Sequence, residues 1–256
     1  MHRNELTIDG RRISYLDAGG DGRPLLALHG HLEEGASWAR LAADLAPQWR
    51  VIAPDQRGHG DSDRAPDYSL EGYVADAVAL IEHLGVGPVA ILGHSGRGIT
   101  AMRLAARRPD LVSALIVEEI GAVHVSTGAL DFVLGWPQQA STRQGLLDAL
   151  GFAAPMFAEV LRENPDGSWR LPFAPQDMVD SEALVAGDYW ADWLGSECPA
   201  LLVVGNKQPC VDPALAEQMC VKRSNAALIT LDTDHFVHKG DPGGFAAAVR
   251  DFLQSR

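Results

Sequence analysis

The stretch VAILGHSGRG, residues 89–98, sets four apolar residues before a glycine, a histidine and a serine, then two more glycines around an arginine. A buried strand that runs straight into a helix strains the connecting residue, and small neighbours let the backbone pass close by. Ser95 occupies that connecting position. The N-terminus of the following helix offers backbone N–H groups to nearby negative charge. The usual form of such a turn is G-x-S-x-G, and here the last position is Arg97. A cation at that point costs about 0.3–1 kcal/mol against the helix dipole, and its bulk crowds the packing. Gly96 and Gly98 redistribute the free space. We read Ser95 as a nucleophile, and we expect Arg97 to pair with a carboxylate such as Glu118 on the neighbouring strand rather than clamp an anionic substrate.

A serine is a weak nucleophile at neutral pH and needs a base within hydrogen-bond reach, itself oriented by a third group. Other chemistries find less support. The nine histidines include no H-x-x-x-H in a helical context and no His/Asp cluster at ligand spacing, so no metal is expected. GHG and GRG lack the spacing of phosphate or dinucleotide loops, so no cofactor is expected. Cys198, Cys210 and Cys220 are an odd set without C-x-x-C spacing, and none follows a nucleophile-presenting turn. They read as free thiols in a reducing compartment.

The elements that must position these residues follow an alternating rhythm. ELTIDGRRISYLD reads as a hairpin opened by Asp9-Gly10. PLLALH, RVIAPD, PVAILG, SALIVEE, ALLVVG and AALITLD are short apolar runs that suit strands buried on both faces. Helical patterns lie between them, one from Leu70 to Leu84 and others over 98–108, 213–221 and 243–254. This alternation implies an α/β fold with a mostly parallel, doubly wound sheet. From Val123 to Leu194 the rhythm stops: no strand is evident, four of the six tryptophans cluster there, and helix-like pieces fall at 142–152, 155–163 and 181–191. We expect residues 1–122 and 195–256 to form the core and 123–194 a helical cap inserted in it.

At 256 residues the chain can bury a large core. Its formal net charge of −13 repels phosphate backbones and anionic lipid, which argues against nucleic-acid or membrane partners. The first residues, MHRNELTIDG, lack the apolar segment of a signal peptide, and no run approaches a membrane span. A cytoplasmic enzyme with a small-molecule substrate is the expectation.

Four motifs in order resemble the α/β-hydrolase superfamily over nearly the whole chain: HG at 29–30, DQRGHGDSD after the fourth strand, GHSGRG at the nucleophile turn, and DTDHFVHKGDPGGFAAAVRDFL near the end. The resemblance implies the α/β-hydrolase fold, with His235 as base; His238 falls where the following turn usually sits. The superfamily's usual acid position after ALLVVG holds Gln208, which carries no charge. Some members place the acid one strand earlier. Glu119, 24 residues beyond Ser95, stands at that place, and adjacent strand ends lie about 5 Å apart. Glu118 and Asp212 are the alternatives for the acid, but Glu118 and Glu119 should not both face the site. The resemblance further implies an oxyanion hole from the backbone N–H groups of Gly96 and His31, with Leu32 as second choice for the latter. Glu33 and Glu34 add acid at the pocket mouth without an assignable role.

The reading is a capped serine hydrolase cleaving an ester, thioester or lactone of a small, mainly apolar substrate through an acyl-enzyme. Carbon–carbon bond hydrolysis and cofactor-free ring chemistry use the same fold and triad. A non-hydrolytic binder with a vestigial triad is the competing class.

Overall fold

The computed structural model describes residues 1–207 and 210–254; Gln208 lies outside the described residues. The opening hairpin pairs β1 (His2–Ile8) with β2 (Arg11–Asp17). Asp9 and Gly10 have φ of 50° and 76°, the positive values that a two-residue turn matched to strand twist demands. β3 (Arg23–Leu28), β4 (Trp49–Pro54), β5 (Val89–His94), β6 (Val112–Glu118), β7 (Ala200–Gly205) and β8 (Ala226–Leu231) follow. They form an eight-stranded sheet in the order β1-β2-β4-β3-β5-β6-β7-β8, parallel from β4 onward. β5 is central, so its end lies where the strand order has reversed, the place where open α/β sheets bind ligands.

The apolar runs explain this order. β5 and β7 are buried at every residue, as strands covered on both faces must be. β8 differs from the expectation. It is half-buried or exposed at every residue because it is the sheet's edge. Helices α1 (Ala39–Leu45), α2 (Leu70–Leu84), α3 (Gly96–Arg107), α4 (Pro213–Lys222) and α5 (Pro242–Gln254) cover the two faces. Ser69 caps α2 by accepting from Gly72 N, and Gly85 ends it at φ 62°.

The segment 123–194 is not wholly helical. It contains helices Arg143–Leu150, Pro175–Ala183 and Trp190–Leu194, but two-residue strands join them. Gln139–Ala140, Trp169–Arg170 and Arg162–Glu163 form a small antiparallel sheet, and Gly187–Asp188 pairs with Val123–His124. The helical pattern over 155–163 yields one short turn, Ala154–Phe157, before the chain extends. Such strands are too short for a period-2 pattern to show. Leu146, Leu150, Phe157, Phe173 and Met178 give the segment its own small core, which reaches down to Leu32. Asp177 ties it to the main body, accepting from Arg64 Nε at 2.7 Å and from the Tyr68 hydroxyl at 2.6 Å.

Candidate active site

β5 ends at His94 and α3 begins at Gly96, so one residue, Ser95, makes the turn. Its φ of 55° and ψ of −136° are strained for a residue with a Cβ. The surroundings hold it there. Ser95 N donates to the Glu118 carbonyl at 2.8 Å, and the Ser95 carbonyl accepts from Gly98 N at 2.7 Å. A Cβ on Gly93 would fall on the Arg97 carbonyl, and one on Gly98 would strike Ile120 and Val117. Glycine is therefore required at both positions, and an arginine between Gly96 and Gly98 is compatible with the turn because its side chain leaves on another face.

That side chain does not pair with Glu118. The Arg97 guanidinium is buried and lies 3.5 Å above the Tyr73 ring. Its Nη2 donates to His31 Nε2 at 3.0 Å and to Ser181 Oγ at 3.2 Å. Among the described residues no carboxylate forms an ion pair with it. Glu118 is already engaged: its carboxylate takes the His238 ring at 2.9 Å and the His238 amide at 2.9 Å.

Glu119 follows β6 with φ 55°, and this left-handed kink sends the two neighbouring carboxylates apart. Glu119 is fully buried. Its Oε1 accepts from Gly205 N at 2.6 Å, and its Oε2 accepts from Cys210 N at 3.0 Å. Oε2 also lies 3.5 Å from His235 Nδ1. Hydrogen bonds of this kind are commonly long without substrate and tighten when it binds. Burial pushes the His235 ring towards neutrality, but Cys210 and Glu119 outweigh it and raise its pKa above the ordinary value of 6.5.

Ser95, Gly96, Glu119, His235 and His31 all border one cavity of about 310 Å³. Leu130, Phe132, Met156 and Val185 from the 123–194 segment make much of its wall apolar. Glu182 is also in the wall, but among the described residues no lysine or arginine is. The loop carrying His31 is fixed from below: Gln56 N donates to His29 Nε2 at 3.1 Å, and Gly30 N donates to Glu33 at 3.0 Å. Among the described residues, the backbone N–H groups of His31 and Gly96 meet no protein acceptor. Leu32, the second choice, is a buried residue at φ 64°. Asp212 is exposed and spends its side chain on Ala214 N, capping α4.

Glu33 and Glu34 are not at the pocket mouth. Both are buried. Glu34 binds Arg162 at 2.8 Å. Glu33 receives His94 Nδ1 at 2.7 Å, His238 Nε2 at 3.2 Å and Lys239 at 2.5 Å. His94 Nε2 in turn donates to the His235 carbonyl at 3.0 Å. The sequence offers only weak signal for this network, because Glu33 is 61 residues from His94 and 205 from His238. His94, Glu118 and His238 stand close enough to hold a metal ion, as do Glu119, Cys210 and His235. The first group is unsuited to one: both His238 nitrogens donate to carboxylates, leaving no lone pair. Burial lowers the affinity of that ring for a proton, yet Glu118 and Glu33 prevail and lift its pKa to about 10.

A family model described as alpha/beta hydrolase fold matches residues 23–242. The chain belongs to the α/β-hydrolase family, and it is an enzyme of the hydrolase class. Lipase LipV of Mycobacterium tuberculosis is 44% identical over 253 residues, covering 91% of this chain and 94% of that protein. An Acinetobacter baylyi (E)-2-((N-methylformamido)methylene)succinate hydrolase is 26% identical and covers 100% of this chain and 99% of its own. Among solved structures, E-2-(acetamidomethylene)succinate hydrolase superposes with a TM-score of 0.86 at 23% identity, covering 99% of each chain. A marine microorganism esterase gives 0.85 at 25% identity, covering 94% of this chain and 99% of its own. No helix among the described residues is long and apolar enough to cross a membrane.

Proposed function

We propose that this hydrolase cleaves a neutral carboxylic ester, thioester or lactone through an acyl-enzyme on Ser95. His235 takes the Ser95 proton as the hydroxyl attacks the acyl carbon, while Glu119 holds the ring and stabilises its positive charge. The Gly96 and His31 N–H groups receive the oxyanion, an interaction whose loss costs about 3–4 kcal/mol per donor. His235 then passes the proton to the leaving oxygen or sulfur. Water, deprotonated by the same ring, releases the acid and restores Ser95.

The observation that carries this reading is the shared cavity of Ser95 and His235, with the buried Glu119 carboxylate behind the ring. Asp212 is a poor rival because its carboxylate is a helix cap. The segment 123–194 acts as the cap over the acyl group. The name of the M. tuberculosis relative, a lipase, agrees with an apolar acyl chain. The succinate hydrolases among the relatives act on a dicarboxylate by name, and the wall here, with Glu182 and, among the described residues, no lysine or arginine, offers one no permanent countercharge. The three free cysteines suit a reducing, cytoplasmic location.

Intact-mass labelling with a fluorophosphonate tests the reading, alongside turnover of p-nitrophenyl butyrate. One adduct on wild type, none on Ser95→Ala and slow labelling of Glu119→Gln are expected, with turnover of Ser95→Ala down by about 10⁴-fold or more. Folded wild-type protein that takes no adduct would refute an activated Ser95.

A further inference from the structure

His31 does more in this site than lend a backbone amide. Its ring stands between the Ser95 cavity and the buried Arg97 guanidinium. Nε2 lies 3.0 Å from Arg97 Nη2 and 2.9 Å from Ser181 Oγ. A hydroxyl can donate or accept, so Ser181 alone would allow either tautomer. A guanidinium only donates, so Nε2 must present its lone pair. The ring is then neutral with its proton on Nδ1, an assignment made by the bonding partners. The second Arg97 contact to Ser181 Oγ, at 3.2 Å, and the Tyr73 hydroxyl, at 3.0 Å, occupy that serine's remaining capacity. Burial and the adjacent guanidinium both hold the His31 pKa well below its ordinary value.

The other nitrogen, Nδ1, faces no protein partner among the described residues. Nor is it sealed in: the enclosed side-chain polar atoms left without a partner are those of Trp38, His59 and Thr100. The ring lies against Gly96, its Cε1 3.6 Å from where a Gly96 Cβ would stand. His31 and Gly96, whose amide is read above as an oxyanion donor, border the same cavity as Ser95.

We infer that the His31 side chain is a hydrogen-bond donor to the acyl oxygen of the substrate, with Arg97 as the positioning residue that fixes its tautomer. The inference rests on the serine-hydrolase reading and adds a third donor to it. It also accounts for the departure from G-x-S-x-G. An arginine with no carboxylate partner keeps its positive charge uncancelled, and through the neutral ring it polarises the donor.

Two measurements on the full chain test it. With ¹⁵N-histidine labelling, the His31 resonances, assigned by their loss in His31→Asn, should show the neutral Nδ1–H form from pH 5 to 8. In Arg97→Met the Nε2–H form should become populated. With p-nitrophenyl butyrate, His31→Leu should lose about tenfold to a hundredfold in kcat with KM changed by less than about threefold. His31→Asn, whose amide nitrogen can stand where Nδ1 stands, should retain about tenfold more kcat than His31→Leu. A charged or Nε2–H ring in the wild type overturns the inference. So does wild-type kcat in a His31→Leu enzyme that still labels at Ser95. Wild-type protein that takes no fluorophosphonate would instead overturn the serine reading, and the role of His31 with it.

Discussion

Ser95 stands between two buried polar clusters built on opposite rules. On the His235 side, the buried Glu33, Glu118 and His238 interlock as opposite charges, with the buried His94 ring hydrogen-bonded to Glu33 and the half-exposed Lys239 reaching in to the same carboxylate. On the other side, Arg97 is surrounded by Tyr73, His31 and Ser181, none of them negatively charged. The first arrangement fixes geometry: it grips His94, the residue before Ser95, and the backbone of His235. The second leaves a charge uncompensated, which weakens the folded state but maintains a field at the site. A buried charge that is costly to the fold and points toward a reactive cavity is a sign of function.

The sharpest way to break this contrast is to remove one partner from each cluster. Glu118→Leu removes the nearer of the two carboxylates that hold the His238 ring, leaving it Glu33 alone, and should cost about 3–5 kcal/mol in urea unfolding; a loss under about 1 kcal/mol would mean the cluster is not a set of buried ion pairs. Titration separates the clusters next. The His238 pKa is raised from 6.5 to about 10, so its stabilisation is complete below pH 6.5 and is lost as pH rises toward 10. For Glu33 and Glu118, burial alone would raise the carboxyl pKa, but His238 and His94 hold both below the ordinary 4.5. Their contribution is present above 4.5 and lost as pH falls through the depressed values. Calorimetry should therefore find the highest Tm between about pH 5 and 6.5 and a decline to pH 10. A flat profile over that range would contradict the charged cluster.

Activity should follow a different group. His235 must be neutral to act as a base, and its pKa is raised, so kcat/KM should fall by about tenfold per pH unit below a midpoint above 6.5. A midpoint below 6.5 would detach Glu119 from the ring. Arg97→Met sharpens the comparison further. Replacing an unpaired buried cation with an apolar side chain should change stability by no more than about 1 kcal/mol, or increase it, while kcat drops. A large loss of stability would make Arg97 a structural residue like Glu118. The smallest effect belongs to Asp212→Ala, which removes a helix cap worth about 1 kcal/mol and should leave kcat intact. A collapse of turnover there would move the acid away from Glu119.

The sequence by itself determined most of the sheet and the order of its motifs. Apolar runs of strand length separated by helical stripes can pack in few other ways, and VAILGHSGRG forces a one-residue turn wherever it folds. It also carried the candidates Ser95, Glu119 and His235, because a nucleophile, an acid and a base recur in a fixed chain order. It did not carry what each charge would touch. Arg97 was expected beside Glu118, but His238 had claimed that carboxylate from 120 residues away. Glu33 looked like solvated acid and is a buried hub. Nor did it reveal the two-residue strands of 123–194, whose pairing comes from long-range register rather than local pattern. Local periodicity is written along the chain, whereas the partner of a buried charge depends on which distant elements share its side of the sheet, and only the tertiary structure decides that.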